Sequence, residues 1–381
     1  MNKEKLKVLF VSKAYPSEVD VQNGVFVKKH AKAASLYTDV KVVFITTAKE
    51  TKIVRNQISE SFEEIIIYTK KTGRISNFIK RKNAYKTILK ELEKTWGKPD
   101  IIHGNIFLRG AFDAYQLSKK YNIPFIISTH WSGFVNGEYQ KMSFLRKFLC
   151  KKVAKQATLI TSVSKFLATN VENLLRVKPV VIENIVETKP QKTDVAESSD
   201  ITALVVADLR DRIKNISSII AVVSQLKSSH PTFRLNIIGD GPDKAKLISL
   251  SEQLGVLNSG VFFLGRKTNE QVLEEIQKST FCIVNSNVET FSVFTLESIF
   301  SGKPVISTKC GGPEEFITAA NGILVNKNNN NELKSAITYL IQNLDTYSID
   351  NVKSSIHFDF SESAIGKKLF LLYNEAIRKT I

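Results

Sequence analysis

Short apolar runs alternate along this chain with longer stretches of helical period. The run Lys7 to Ser12 opens into a loop, Lys13 to Gly24, ahead of a helix near Val25 to Leu36, and a strand follows at Val40 to Thr46. Further strands are expected at Ile65 to Tyr68, Ile101 to His103, Phe125 to Ser128 and Leu159 to Ser162, with helices over 77–94, 107–120 and 164–174. Strands alternating with helices in this way read as βαβ units around a mostly parallel sheet. A polar segment, Thr188 to Asp200, lacks apolar periodicity and reads as a linker or exposed loop. Beyond it the alternation restarts, with strands at Ala203 to Ala207, Leu235 to Ile238, Val261 to Phe263, Phe281 to Asn285 and Pro304 to Ser307 and helices at 216–227, 243–254, 269–278 and 294–301. The pattern predicts an α/β protein of two doubly wound, Rossmann-like domains, 1–187 and 201–360, joined by 188–200. A last helix over 361–381, apolar through Ile365, Leu369, Leu372 and Tyr373, is expected to pack back toward the first domain.

Length agrees with two domains, since 381 residues exceed the size at which one core keeps growing. Charge changes the picture more. The net +17 divides as 34 − 16 = +18 for residues 1–190 and 20 − 21 = −1 for the remainder. Residues 70–98 hold ten basic and two acidic side chains, and 139–155 hold six basic side chains and no acid. In the second stretch Leu145, Phe148, Leu149 and Val153 form one helical stripe. Either the stripe packs on the core above a solvated lysine face, or it lies on an anionic membrane interface. Nucleic acid would also accept the charge. The first apolar run is too short for a signal peptide and no run approaches the roughly 20 residues of a membrane span, so the cytoplasm is expected. Cys150, Cys282 and Cys310 have neither paired spacing nor neighbouring histidines, which argues for buried reduced thiols over a disulfide framework or zinc site.

The candidate chemistry lies at strand ends. Glycines follow successive strands of the second half: Gly239 and Gly241 in IIGDGP, Gly265 in FFLG, Gly302 in SGKP, Gly311 and Gly312 in CGGPEE. A strand, a glycine and a helix start let a phosphate or sugar approach backbone amides. Neither Lys7 to Asn23 nor Ala203 to Asn215 contains GxGxxG, which argues against a dehydrogenase. Glu289 precedes a helix whose first turn offers the amides of Ser292, Val293 and Phe294. With a diphosphate on that helix start, the Glu289 carboxylate would face sugar hydroxyls, and Glu297, further into the helix, would suit a ribose diol. The segment ADLRDRIKN supplies Arg210, Arg212 and Lys214 to neutralise a diphosphate leaving group, with Lys214 ahead of Asn215 at a helix cap. In the first half His130 follows a strand and could donate to a sugar oxygen without being charged; His103 also ends a strand. Asn23-Gly24 could bring amides near phosphates, although such a pair is commonly a turn.

Together these positions resemble the retaining family 4 glycosyltransferases of the GT-B fold (glycosyl transferases group 1). The resemblance covers nearly the whole chain and is strongest from Leu204 to Val325. Its most specific element is two glutamates with seven residues between them, Glu289 and Glu297, supported by IIGDGP, FFLG, SGKPVIST, CGGPEEFI and NGILV, and in the first half by STH, TSVS and VIEN around Asn184. The resemblance implies two domains facing each other across a cleft. It also implies that Glu289 holds donor sugar hydroxyls, Glu297 the ribose, Lys214 the diphosphate and His130 the donor sugar, with Gly24 in a loop closing over phosphate and acceptor. The implied donor is a UDP- or GDP-linked sugar, with no cofactor and no metal. The implied acceptor is a hydroxyl of a glycan, or of an undecaprenyl-diphosphate-linked glycan, in bacterial cell-surface polysaccharide assembly.

Three departures stand out. Ala207-Asp208-Leu209 replaces the usual glycine-arginine-leucine, so an acid occupies the phosphate-binding arginine's position and Arg212, or else Arg210, must compensate. Ser292 replaces a glycine, and Asn23-Gly24 a glycine pair. Arg266, Lys267 and Thr290 are expected to shape the donor pocket. The basic stretches 70–98 and 139–155 would rest on the inner face of the membrane, and no nucleic-acid partner is expected. A nucleotide-sugar 2-epimerase of the same shape and a basic nucleic-acid-binding protein are the competing readings.

Overall fold

In a computed structural model, which describes residues 5–188 and 201–380, the chain divides into two compact units. The first comprises residues 1–185 with 359–381, the second 186–358. Most of the expected linker, residues 189–200, lies outside the described residues.

The elements of the first unit run β1 (Lys7–Ser12), α1 (Val25–Ser35), β2 (Asp39–Ala48), β3 (Lys52–Ser59), β4 (Phe62–Lys70), α2 (Arg74–Thr95), β5 (Ile101–Asn105), α3 (Arg109–Tyr121), β6 (Phe125–Thr129), α4 (Phe144–Gln156), β7 (Leu159–Ser162), α5 (Lys165–Leu175) and β8 (Val180–Val181). They build an eight-stranded sheet of order β3-β4-β2-β1-β5-β6-β7-β8. All pairings are parallel except β3 with β4. Central strands such as β5 and β6 are buried throughout, as parallel strands covered on both faces must be. The apolar pattern missed β3 because KIVRNQIS is an almost wholly exposed edge strand, held by its ladder to β4 rather than by a core face. It also shortened β4, where Glu63 and Glu64 are buried yet partnered: Glu63 by Lys41 and Arg55, Glu64 by Lys28 and the Tyr15 hydroxyl.

The second unit runs β9 (Thr202–Val206), α6 (Asp211–Lys214), α7 (Ile216–Leu226), β10 (Arg234–Ile238), α8 (Lys244–Gln253), β11 (Val261–Gly265), α9 (Asn269–Lys278), β12 (Phe281–Val284), α10 (Val293–Phe300), β13 (Val305–Thr308), β14 (Gly322–Val325), α11 (Asn330–Gln342) and α12 (Ile349–Ser354). Its six strands are all parallel, in the order β11-β10-β9-β12-β13-β14. Helix starts are set locally: Thr268 and Gln271 form a reciprocal capping box on α9, and the Asn329 side chain caps α11. α13 (Glu362–Arg378), begun by the Ser361 hydroxyl cap, belongs to the first unit, where Ile365, Leu369, Leu372 and Tyr373 join the core of Val8, Phe10, Val40 and Ala31.

Strand order creates a reversal in each sheet. Successive strands turn one way from β9 to β10 and β11, while β12 lies on β9's other side; the same happens at β1 between β2 and β5. At such a switch the loops leaving the strand ends diverge and open a crevice for ligand.

Candidate active site

In the second unit every candidate residue except Glu297 lies in the connection that leaves the carboxyl end of a strand or opens the helix that follows it. Lys214 ends α6 in the connection after β9, Gly239 follows β10, Arg266 follows β11, and Glu289 lies between β12 and α10. Because β9 neighbours β12, residues 75 apart in sequence meet at the switch point: the Lys214 ammonium donates to Glu289 Oε1 at 2.5 Å. The Ser286 hydroxyl donates to the same oxygen at 2.7 Å. Backbone bonds fix Glu289 further, its N–H donating to the Cys310 carbonyl and its carbonyl accepting from the Gly312 N–H, which ties the β12 loop to the β13 loop.

The pair is mostly but not fully withdrawn from solvent, with side-chain exposures of 24% for Lys214 and 15% for Glu289. Burial works against the lysine's charge, but the adjacent carboxylate outweighs it and holds the ammonium above its usual pKa. Beside them the Cys310 thiol is pushed up to about 12 by burial and by Glu289, so it remains protonated. All three cysteines are free and buried.

Two glycines are required by close approach. A Cβ on Gly239 (φ 147°) would lie 1.9 Å from the Ala207 carbonyl oxygen, and one on Gly24 (φ 72°) 2.5 Å from that of Ala14. The first clears the space between the β9 and β10 loops; the second folds the loop after β1 onto the start of α1. Ser292, at a position where the resemblance implies glycine, also takes positive φ, 68°, and its hydroxyl bonds Thr295 Oγ1 at 2.8 Å. The left-handed backbone there turns the chain into α10, with Val293 and Phe294 opening the helix. Glu297 lies inside α10 and is buried.

At the substituted arginine position, Asp208 points to Arg210, whose Nε donates to Oδ2 at 2.7 Å, both side chains being more than half exposed. Arg212 is exposed and forms no ion pair among the described residues, so it is the arginine of this segment available to an anion. Asn215, expected at a helix cap, joins α6 to α7 in the left-handed conformation (φ 49°) without a side-chain capping bond. Arg266 is exposed directly after β11.

The first unit assembles a separate group. His130 follows β6; its ring packs on Phe26 (4.3 Å between centroids) and stands 5.4 Å from His30. Both His130 ring nitrogens and Asn184 Oδ1 are shielded from solvent, and the Asn184 side chain lies close enough to the ring to work against the lowering of its pKa. Burial above all, with His30 and His103 beside it, pushes the His130 pKa far down, so the ring is neutral at pH 7. His103 corrects the suspicion that it faces a ligand: it is wholly buried, bonded to Tyr373 Oη at 2.9 Å and Ser128 Oγ at 2.6 Å. Sequence reasoning missed the Tyr15–Glu64–Lys28 network that anchors the loop carrying Gly24. An acid inside an apolar strand is the signal that could have found it.

Among the described residues no group of three or more His, Cys, Asp or Glu could hold a metal ion, and no helix is long and apolar enough to cross a membrane.

Two family models match the chain, "Glycosyltransferase Family 4" over residues 34–189 and "Glycosyl transferases group 1" over 187–349. An uncharacterized glycosyltransferase of Methanocaldococcus jannaschii is 31% identical over 265 residues, which is 68% of this chain and 70% of that protein. Among solved structures, sucrose-phosphate synthase from Thermosynechococcus elongatus superposes with a TM-score of 0.79 at 18% identity, covering 97% of this chain and 98% of that one. Anabaena HepE in complex with UDP and glucose gives 0.75 at 17% identity, covering 97% and 99%.

Proposed function

Since the chain belongs to the group 1, family 4 glycosyltransferases and shares the GT-B fold, we propose that it moves a hexose, N-acetylated or similar sugar with retention of anomeric configuration. The donor is a UDP- or GDP-sugar, and the acceptor a hydroxyl of a glycan or undecaprenyl-diphosphate-linked glycan in bacterial cell-surface polysaccharide assembly. The observation that carries this reading is the Lys214–Glu289 pair at the β9/β12 switch point, a cation and a carboxylate held side by side. HepE's complex with UDP and glucose supports a uridine diphosphate donor.

Lys214 and Arg212 hold the diphosphate, together with the amides of Ser292, Val293 and Phe294 at the start of α10. Glu289 accepts hydrogen bonds from the sugar hydroxyls and Glu297 from the ribose. Gly239 lets the donor approach the β10 loop closely, and Arg266 borders its pocket. His130, neutral, donates to the sugar, and the Gly24 loop closes over phosphate and acceptor. The bond from the anomeric carbon to the phosphate oxygen breaks and the bond to the acceptor oxygen forms on the same face. The acceptor proton passes to the departing phosphate, so neither a covalent nucleophile nor a metal is required. The protein works in the cytoplasm, held peripherally to an anionic membrane through 70–98 and 139–155.

Thermal-shift screening of nucleotide sugars tests the donor site, because a ligand specific for the native state raises Tm by mass action. A shift with one UDP- or GDP-sugar, and loss of turnover in Glu289→Ala with the fold intact, are expected. No shift with any of them, or an active E289A, would overturn the assignment. A donor consumed without acceptor would identify a 2-epimerase instead.

A further inference from the structure

Between α2 and α3 the first unit has a groove of about 690 Å³. Lys82 and Lys86 line it from α2, Lys119 and Lys120 from α3, with Phe78 and Tyr115 among its apolar wall. All four lysines are exposed and none forms an ion pair among the described residues; Lys120 bonds only the Tyr121 hydroxyl. The one acid in the lining, Asp113, is already taken: it accepts from Arg81, whose guanidinium also reaches the Ile45 carbonyl and the Tyr85 hydroxyl. The groove therefore gathers four uncompensated positive charges over a floor that is electrostatically satisfied. Such an arrangement focuses a positive potential that an anion relieves.

A second feature decides which anion. α2 begins directly after β4, and its first turns expose Ile75, Phe78 (56% exposed) and Ile79. α4, whose neighbour is α3, begins on the same edge of the sheet after β6 and exposes Phe144 (85%), Leu145 and Phe148. The stripe read from the sequence is thus divided: Val153 is buried with Cys150 and Ala154, while Leu145 and Phe148 face solvent. Phe78 belongs to both features, lining the groove and standing in the apolar tip. A soluble phosphate would use the lysines and leave six large apolar side chains in water. A bilayer uses both, since aromatic and aliphatic groups enter the interface while lysines reach the phosphate level.

We infer that the α2/α3 groove is a headgroup site for an anionic phospholipid, seated when the exposed starts of α2 and α4 enter the membrane interface. The inference refines the membrane contact proposed above, rests on that reading, and places the acceptor domain's charge at a defined pocket.

The test is co-sedimentation of the full chain with vesicles of phosphatidylglycerol and phosphatidylethanolamine, against vesicles of phosphatidylcholine alone. The parent should sediment with the anionic vesicles. Lys82→Ala/Lys86→Ala should bind them about 30-fold more weakly, each lysine near an anionic surface being worth about fivefold. A charge-matched control, Lys178→Ala/Lys327→Ala, should bind nearly as well as the parent. Phe78→Ser, an exposed position with no core to disturb, should also weaken binding. Equal recovery with neutral vesicles, or a K82A/K86A variant that binds like the control, would overturn the site. So would a gel shift of DNA, or a thermal shift by inorganic phosphate at matched ionic strength, abolished by K82A/K86A in a protein that ignores vesicles. Donor-induced thermal shift without vesicles should be unchanged in every variant; its absence in the parent would refute the donor reading and leave the vesicle result standing.

Discussion

Mild acid should destabilise the first unit, where the buried histidines lie. Three of the five histidines, His30, His103 and His130, lie in the first unit, and burial is the largest cause lowering each of their pKa values. His30, 1% exposed with Nε2 against the Glu183 carbonyl, is brought down from 6.5 to about 4. A base whose folded pKa is depressed binds protons more readily when unfolded, so stability rises with pH across that interval and is lost as pH falls from 6.5 toward 4. For His30 the full shift amounts to about 3 kcal/mol at 1.36 kcal/mol per unit, of which about 2 is lost by pH 5. His103 and His130 act in the same direction, and a loss of this size is a large part of a domain's usual stability. The range from pH 7.5 to 5 lies above the ordinary carboxylate values, and Asp113, whose pKa burial raises, works in the opposite sense. The assay is urea denaturation followed by tryptophan fluorescence, because both tryptophans, Trp96 and Trp131, belong to the first unit. Its midpoint should fall steeply between pH 7.5 and 5, and less steeply in His30→Gln. A fluorescence midpoint that stays level over this range, or a His30→Gln protein with the parent's pH slope, would refute the reasoning.

Three further outcomes are expected. In a double-mutant cycle of Lys214→Met and Glu289→Gln, urea denaturation should give a coupling of about 1–2 kcal/mol, between the values for exposed and buried pairs; coupling near zero would mean that the pair is only a surface contact. Gly239→Ala should lose about 2 kcal/mol or more, since its Cβ would strike the Ala207 carbonyl, and a Tm equal to the parent's would contradict the close approach. Donor KM should rise at least tenfold in Arg212→Ala but change little in Arg210→Ala, whose guanidinium is engaged by Asp208; the reverse order would reassign the phosphate-binding arginine.

Sequence pattern reached the strand ends and the residues on them because buried parallel strands are apolar runs and the glycines and polar groups that follow are their punctuation. It could not reach the meeting of Lys214 with Glu289. That contact depends on β12 pairing with β9, and spacing along a chain says nothing of strand order. The polar edge strand β3 and the two-residue β8 carry too little apolar signal to register. β14 is different: its GILV carries as much apolar signal as the short runs read as strands, but it stands in the sequence as a motif and only its ladder to β13 makes it a strand. Nor does periodicity separate Val153, which the fold covers, from Phe148, which it leaves bare.

The return of α13 to the core of the first unit has a consequence for how the protein is made. The second unit is in effect inserted between two parts of the first, as the division at 185/186 and 358/359 shows. When residues 186–358 have left the ribosome they can fold on their own core, whereas the first unit still lacks Ile365, Leu369, Leu372 and Tyr373. Synthesis from the N-terminus therefore completes the domain begun first only after the one begun second. In the interval the face of α1 that α13 will cover, including Ala33 beneath Gly366, is apolar surface open to a chaperone or to another nascent chain.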